Sequence, residues 1–268
     1  MDTAKADKPK TEGEKTKEAD KRDAEGLDLT TYVEALGVAD DGTDIYVLTD
    51  LWHVEGFQFT RKVFVDGWKR VWEETGGKVS PNMDAHRKFF RSRVDFLQKD
   101  PDYFKKVYRS TFIASREPGQ REMDMEHALD LWLQLFKPTM NDWCSANVNW
   151  FGAWEKYLTE RFWVKVDKDG KDIPKGQQTQ EGEKKQQDKK APKGERAPKD
   201  TPGRWTRSVS KDLWNQTLIF ATKTLQDETM GFWSEDQAWP GIIDDFVVWC
   251  RDTGVIPAGN GGGMEVDK

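Results

Sequence analysis

Apolar side chains recur at helical spacing along two stretches of the chain, roughly residues 27–165 and 205–253. Leu29, Tyr32, Val33 and Leu36 follow the i, i+3, i+4, i+7 pattern of an amphipathic helix. Eight later segments repeat this period, starting near residues 45, 60, 81, 101, 124, 150, 210 and 240. Alternating patterns and Asn-Gly turns, which are typical of β-hairpins, are nearly absent. The sequence therefore predicts an all-α protein of about nine helices.

Residues that favour helix N-termini precede several of these segments. Thr43, Thr60 and Ser210 are predicted N-caps, because their hydroxyl oxygens can accept from backbone N–H groups of the first turn. Ser80-Pro81 and Asp100-Pro101 combine a cap with a proline at the first helical position. These signals predict where the helices begin.

Two polar segments interrupt the apolar pattern. Residues 1–26 hold 7 Lys+Arg and 8 Asp+Glu, and residues 166–204 hold 11 and 8, with few large apolar side chains. Such segments bury too little apolar surface to offset their chain entropy, so both are predicted to be disordered. The glycine-rich residues 254–268 are predicted to be a flexible tail. We expect a single compact domain over residues 27–253 that carries the disordered insertion 166–204.

The net charge of the chain indicates which kind of binding partner to expect. The two polar segments carry −1 and +3 of a net charge of −6, so the rest of the chain carries −8. A basic protein surface is therefore a more plausible partner than nucleic acid. No apolar run approaches the roughly 20 residues that span a bilayer, and no secretory signal is apparent, so no membrane association is expected. Two cysteines do not form a disulfide framework, which favours the cytoplasm, the nucleus or both.

Known catalytic and cofactor motifs are absent from the sequence. It contains no glycine-rich phosphate loop, and its three histidines lack metal-ligand spacing, so no cofactor and no metal are expected. The stretch from Asp167 resembles a calcium loop only superficially, because Lys171 and Asp172 occupy its fifth and sixth positions. Cys144 is a conceivable nucleophile, although no motif supplies it with a base. An enzyme that uses Cys144 stays open as a third hypothesis.

Three residues near the end of the chain suggest a binding surface. Asp212 lies in the first turn of a predicted helix, Ala238 comes just before another, and Asp244 falls in the second turn of that helix. Each acid can simply serve its own helix, where a carboxylate suits the dipole. The alternative is that two acids flank a small residue and receive Arg or Lys from a partner.

Four stretches give the chain a resemblance to a known family. They are DPDYFKKVYRSTF (100–112), EPGQREMDME (117–126), VSKDLWNQ (209–216) and AWPGIIDDFVVW (238–249). In order and spacing they resemble the defective-in-cullin-neddylation (Dcn1-like) family and its potentiating-neddylation (DCUN1) domain. That resemblance implies EF-hand-like helix pairs without calcium loops and a non-catalytic, scaffold-type E3 factor for cullin neddylation. It also implies that Asp212, Ala238 and Asp244 bind the C-terminal winged-helix domain of a cullin.

The resemblance implies a second site, for the neddylation E2. In the family a hydrophobic pocket takes the Nα-acetylated N-terminal Met of the E2, and the ubiquitin-like modifier and the RING subunit join the complex indirectly. The matching positions lie mainly in the early helices. They are Leu29, Tyr32, Val47, Leu48, Leu51, Phe59, Ala114 and Leu131. The residues alone favour a core role for each of these side chains.

One alternative function stays open beside the family reading. The stretch GFQFTRKVFVDGW (56–68) looks like the start of an EF-type helix. It suggests an EF-hand-derived, peptide-binding regulatory module without an E3 role.

Overall fold

The computed structural model describes residues 21, 29–38, 44–138, 140–167, 169–173 and 202–256. In this part of the chain nine α-helices and four three-residue strands follow one another, which confirms the all-α prediction and the number of helices. The helices are α1 (Leu29–Leu36), α2 (Ile45–Leu51), α3 (Arg61–Glu74), α4 (Met83–Lys99), α5 (Pro101–Ser115), α6 (Met125–Leu135), α7 (Trp150–Phe162), α8 (Lys211–Gln226) and α9 (Gly241–Asp252). The strands are β1 (Glu122–Asp124), β2 (Trp163–Lys165), β3 (Gly203–Trp205) and β4 (Ser208–Ser210). No helix among these residues is both long and apolar enough to cross a lipid bilayer.

The described residues fall into two compact units, one up to Pro118 and one from Gly119 onward, and the single domain over residues 27–253 stays a prediction. Each unit has its own aromatic core, which gives a physical reason for the division. In the first unit Trp52 is buried and contacts the rings of Phe59, Phe64 and Trp68. Large apolar rings of this kind dominate core energetics, so a unit of about 100 residues can be stable around such a cluster.

The second unit packs a separate set of rings. Trp132 of α6 stacks on Trp214 of α8, with ring centroids 5.3 Å apart, and Trp154 of α7 contacts Phe246 of α9 edge-on at 5.0 Å. All four rings are at most 1 % exposed. These contacts hold α6, α7, α8 and α9 together, and so they fix the positions at which α8 and α9 begin.

Most helices begin where their capping residues predict. The Thr60 hydroxyl accepts from Val63 N, the Asp100 carboxylate accepts from the first turn of α5, and the Ser210 hydroxyl accepts from Leu213 N. The Ser80-Pro81 start is wrong, because α4 begins at Met83 behind Asn82, whose side-chain oxygen accepts from Ala85 N. The predicted cap Thr43 lies outside the described residues.

Short strands connect parts of the second unit that are far apart in sequence. Strand β1 pairs antiparallel with β4, Glu122 opposite Ser210 and Asp124 opposite Ser208, so α6 and α8 begin at opposite ends of this short ribbon. Strand β2 pairs antiparallel with β3, and Val166 N donates to Pro202 O at 2.9 Å. The structure thus describes both ends of the predicted insertion 166–204, whereas residues 174–201 lie outside the described residues. Most of the predicted tails 1–26 and 254–268 also lie outside them, apart from residue 21 and residues 254–256.

Candidate functional site

The N-terminal ends of α8 and α9 border the same cleft on the second unit. This cleft has a volume of about 460 Å³, and its lining includes Ser210 and Leu213 at the start of α8 and Pro240 and Asp244 at the start of α9. The first turn of a helix carries the positive end of its dipole. Carboxylates are favourable at such positions.

The three residues predicted to bind a cullin lie at these helix starts. Asp212 is exposed in the first turn of α8, and Ala238 is exposed three residues before α9. Asp244 is half-buried and lies in the first turn of α9, not the second, because the helix begins at Gly241. We name this set the acidic patch (Asp212, Ala238 and Asp244). Its role in binding stays a prediction.

Asp244 is held by a neighbouring indole. The Oδ1 atom of its carboxylate accepts a hydrogen bond from Nε1 of Trp233 at 2.9 Å. Trp233 is 8 % exposed, and the guanidinium of Arg251 lies over its ring, 4.8 Å from the centroid. The carboxylate is therefore oriented by a buried donor.

The loop that carries Ala238 is closed by hydrogen bonds of its own. Gln237 Nε2 donates to Phe232 O at 3.0 Å, and Trp239 Nε1 donates to Gln237 Oε1 at 2.9 Å. These contacts fix the backbone on both sides of Ala238. The side chain of Ala238 is small and exposed, so a partner can approach the backbone closely at this position.

Further charges line the cleft beside the acidic patch. Asp245 and Glu122 add two carboxylates, and the hydroxyl of Ser208 donates to the carboxylate of Glu122. Arg207 is the cation among the lining residues, and it lies over the ring of Phe162, 5.9 Å from the centroid. Acids thus outnumber bases among the lining residues, a balance that suits a cationic side chain.

The positions predicted to form the E2 pocket divide into two groups in the first unit. Val47, Leu48 and Ala114 are fully buried. The other first-unit positions are half-buried and so reach the surface; they are Leu29, Tyr32, Leu51 and Phe59. Only this second group is exposed enough to contact a ligand directly.

Two contacts place part of this set around one ring. Tyr32 and Phe59 both contact Trp52, with centroids 5.6 and 5.9 Å away. Phe57 N donates to Ala114 O at 2.6 Å, which ties the loop after α2 to the end of α5.

The remaining predicted pocket residue, Leu131, lies on α6 in the second unit and is 4 % exposed. The role of these residues as an E2 pocket stays a prediction.

Two other clefts open on the first unit, and none of the predicted pocket residues lines either one. The first, of about 590 Å³, is charged: the buried carboxylate of Asp50 lies in it, 3.1 Å from Lys106 Nζ. The second, of about 680 Å³, is apolar and includes Trp68 and the half-exposed Trp72 of α3. The helical spacing of these residues carries no signal that separates a cleft-lining position from a core position.

The chemistry of the described residues is unfavourable for catalysis by Cys144. Burial and the nearby Asp142 raise the pKa of its thiol to about 11, and its Sγ donates to Asn149 Oδ1 at 3.4 Å. A thiol of this kind is almost fully protonated near neutral pH and is a poor nucleophile. In the described parts of the chain, no group of three or more His, Cys, Asp or Glu is arranged to hold a metal ion.

Sequence reasoning did not find the contribution of Trp233. Its indole lies eleven positions before Asp244, in a loop without periodicity, so no spacing rule connects the two residues. A weak signal exists in retrospect, since a buried tryptophan outside a helix needs a partner for its N–H group. The acceptor that the Trp233 indole N–H binds is determined by how the loop folds.

The chain is similar to a known family model and to several known proteins. A family model described as "Cullin binding" matches residues 84–175 and 193–249, more than half of the chain. The chain is 32% identical over 242 residues to "Defective in cullin neddylation protein 1" of Pyricularia oryzae, a match that covers 88% of this chain and 70% of that protein. It is 23% identical to the protein of the same name from Yarrowia lipolytica, covering 72% of this chain and 57% of that one. It is 25% identical to "DCN1-like protein 3" of Drosophila melanogaster, covering 80% and 47%. Of the last two relatives the chain thus spans about half the length.

Proposed function

Since the chain belongs to the cullin-binding family of defective-in-cullin-neddylation proteins, we propose that it promotes cullin neddylation as a non-catalytic scaffold-type E3 factor. In this proposal one surface binds the winged-helix domain of a cullin and another binds the neddylation E2. The single observation that carries it is that two first-turn acids, Asp212 on α8 and Asp244 on α9, lie on helices whose N-terminal ends border one cleft.

The acidic patch is the proposed cullin-binding surface. Its two carboxylates and the acidic lining of the adjoining cleft suit a basic partner, and the −8 charge of the chain outside the two polar segments has the matching sign. Ala238 is exposed and small, so it offers little steric resistance to a partner. Each carboxylate of the acidic patch could accept charge-assisted hydrogen bonds from a Lys or Arg of the cullin.

The early helices supply the proposed E2-binding surface. Its half-buried side chains are apolar or aromatic, and two of them, Tyr32 and Phe59, contact the buried Trp52. A free α-amino group is charged near neutral pH and resists burial in such surroundings, whereas acetylation removes that charge. This reasoning supports an Nα-acetylated Met as the inserted group.

The proposed mechanism is proximity and orientation. Two contacts on one scaffold raise the effective concentration of the E2 near the cullin and direct its thioester at one acceptor lysine. Orientation of this kind can lower a barrier by several kcal/mol, at most about 7–11 kcal/mol, without any catalytic side chain of the scaffold. The RING subunit and the ubiquitin-like modifier enter the complex through the cullin and the E2.

A charge reversal tests the cullin-binding surface. We expect Asp244→Lys to weaken binding of a purified cullin winged-helix domain by about 2 kcal/mol or more, roughly thirtyfold, as for a desolvated interface residue. Isothermal titration calorimetry measures this directly. Asp252→Lys is the matched control, because it makes the same charge change on the exposed far end of α9. Equal losses for both variants would show a general charge effect, and an unchanged affinity for Asp244→Lys would remove the acidic patch from the proposal.

A pair of peptides tests the E2-binding surface. An E2 N-terminal peptide with an acetylated Met should bind more tightly than the same peptide with a free amine, measured by fluorescence anisotropy. A reconstituted neddylation reaction then links binding to function: wild type should accelerate transfer to the cullin, and Cys144→Ser should accelerate it equally. A loss of stimulation in Cys144→Ser would instead favour the enzyme hypothesis.

One observation favours the alternative of a peptide-binding regulatory module. The apolar cleft of about 680 Å³ beside α3 exposes half of the Trp72 side chain and is wide enough for an apolar peptide side chain. If this module were the whole function, the protein would bind peptides yet leave neddylation unaltered. The reconstituted reaction therefore separates the two candidates.

A further inference from the structure

The bond between Trp233 and Asp244 connects a buried residue to the proposed cullin-binding surface. Its donor is an indole N–H, and its acceptor is one oxygen of the acidic-patch carboxylate, 2.9 Å away. We propose that Trp233 is a positioning residue, which holds the Asp244 carboxylate in the orientation that a basic side chain of the cullin requires. This inference rests on the proposed function and adds a residue to it.

An unrestrained aspartate is a poorly defined acceptor. Its carboxylate turns about two bonds, and binding must first select one orientation, which weakens the contact. A charge-assisted hydrogen bond to a fixed donor makes that selection before the partner arrives. Since Trp233 engages Oδ1, the bond restricts both the rotamer of Asp244 and the direction in which the rest of its carboxylate faces the cleft.

The donor itself is held from three sides. The carboxylate of Asp227 accepts from Thr229 N and Gly231 N at 3.0 and 2.8 Å, which folds the loop before Trp233. Trp233 N donates to Met230 O at 3.0 Å, and Met230 adopts the left-handed backbone conformation with φ +57°. Arg251 of α9 covers the indole ring. The indole therefore has little freedom to follow a moving carboxylate.

A simpler explanation is that the bond only satisfies a buried indole N–H. In that case the loss of the donor would reduce stability and leave the affinity for cullin as it was. The two explanations differ in one measurable respect: a positioning residue acts through Asp244, so its effect disappears when the Asp244 charge is gone.

Trp233→Phe is the test variant. It removes the N–H donor and keeps an aromatic ring beneath Arg251. Trp249→Phe is the matched control, because Trp249 also lies in the second unit, also donates its indole N–H to a carboxylate (Glu160 Oε2, 2.9 Å), and also has a cation, Lys156, near its ring. It lies outside the acidic patch. Thermal denaturation of both variants first establishes that each is folded.

Calorimetry with the cullin winged-helix domain then compares the affinities. We expect Trp233→Phe to raise the Kd about five- to tenfold and Trp249→Phe to change it by less than about twofold. In an Asp244→Asn background, Trp233→Phe should cause no further change. Equal weakening in both backgrounds would overturn the positioning role, because Trp233 would then act independently of Asp244.

The remaining outcomes separate this inference from the proposed function. If wild type and Trp233→Phe bind equally while Asp244→Asn binds weakly, the positioning role fails and the cullin-binding surface stands. If wild type does not bind any cullin domain, both fail together.

The contact between Trp233 and Asp244 can also be tested without a partner. In an NMR spectrum the indole ¹H–¹⁵N resonance of Trp233 should shift in Asp244→Asn and stay in place in Asp212→Asn. If the chemical shift of the Trp233 indole N–H is unchanged in Asp244→Asn, the contact itself is overturned.

Discussion

Gly67 on α3 leaves no room for a side chain, and this makes Gly67→Ala an informative perturbation. A Cβ atom at this position would lie 2.7 Å from Cγ of Trp52 and 3.0 Å from its Cα, with the ring atom Cδ1 closer still. Real Cβ atoms do not approach other heavy atoms below 3.0 Å. The substitution therefore forces either Trp52 or the backbone of α3 to move.

Two opposing effects set the magnitude. Alanine in place of glycine inside a helix gains about 0.8–1.0 kcal/mol. Overpacking of a filled core costs about 1–3 kcal/mol, and more where the neighbour is unable to yield. Trp52 has little freedom to yield, because Phe64 and Trp68 contact its ring at centroid distances of 5.4 and 6.2 Å. We expect a net loss of about 1–2 kcal/mol, which for a unit of about 100 residues corresponds to roughly 4–8 °C in Tm for each kcal/mol lost.

The displacement should also reach the proposed E2-binding surface. Tyr32 and Phe59 both rest against Trp52, so a shifted indole moves two of the half-buried side chains of that surface. Gly67→Ala should therefore weaken binding of the acetylated E2 peptide, while the affinity for the cullin domain, whose proposed site lies in the second unit, stays unchanged.

Urea denaturation followed by circular dichroism measures the loss of stability. Hydrogen exchange of peptides from α2 and α3 assigns that loss to the first unit, which a global curve for a two-unit protein does not do. Gly241→Ala is the control, since a Cβ at that helical position meets no heavy atom within 4 Å, and it should be neutral or slightly stabilising. A Gly67→Ala protein with wild-type stability and wild-type exchange would refute the packing argument.

Three further outcomes concern titratable groups. The buried Asp50 carboxylate lies 3.1 Å from Lys106 Nζ, so Lys106→Met should cost about 1–2 kcal/mol in chemical denaturation, discounted because Lys106 is largely exposed. Adding Asp50→Leu should recover most of that loss, and an unrecovered double variant would contradict the reasoning. Burial lowers the pKa of His86, which stacks on Trp68; the unfolded chain then binds this proton more readily, so the stabilisation falls as pH drops below about 6.5. His86→Phe should flatten that profile between pH 7 and pH 5, and an unaltered slope would exclude His86 as its source. Cys144, with a pKa of about 11, should react with iodoacetamide at pH 8 about two hundred times more slowly than a thiol of pKa 8.5, judged from the thiolate fractions; comparable rates would show that the thiol is not protected.

Helix positions were predictable because their signals are local. Thr60, Asp100 and Ser210 cap the helices that follow them, and each capping bond joins residues two or three positions apart. The misplaced start of α4 shows the limit, since Asn82 supplied the cap and the nearby Ser80-Pro81 did not. A choice between two adjacent capping signals depends on small differences in free energy.

Long-range features were not predictable from the sequence in the same way. Strand β1 pairs Glu122 with Ser210, far along the chain, and three residues are too few to show alternation. The acids near helix starts were visible as residues, but their grouping as a cullin site came from the family resemblance. The bond from Trp233 to Asp244 depends on the fold of an irregular loop, and no pattern in the sequence encodes it.

The pairing of β2 with β3 holds together the two chain ends that flank residues 174–201. Ile173 N donates to Lys165 O, Lys165 pairs with Gly203, and Arg204 makes a two-point ion pair with Asp172, so the chain leaves and returns at the same place. For a segment anchored in this way, loop-closure entropy grows only logarithmically, by about 0.6 kcal/mol for each doubling of length. The match to the family model stops at residue 175 and resumes at residue 193, so the unmatched residues lie between these paired ends. Because the β2–β3 pairing holds both flanking ends, we expect a change in the number of residues between 174 and 201 to have little effect on the stability of the helices that carry the acidic patch.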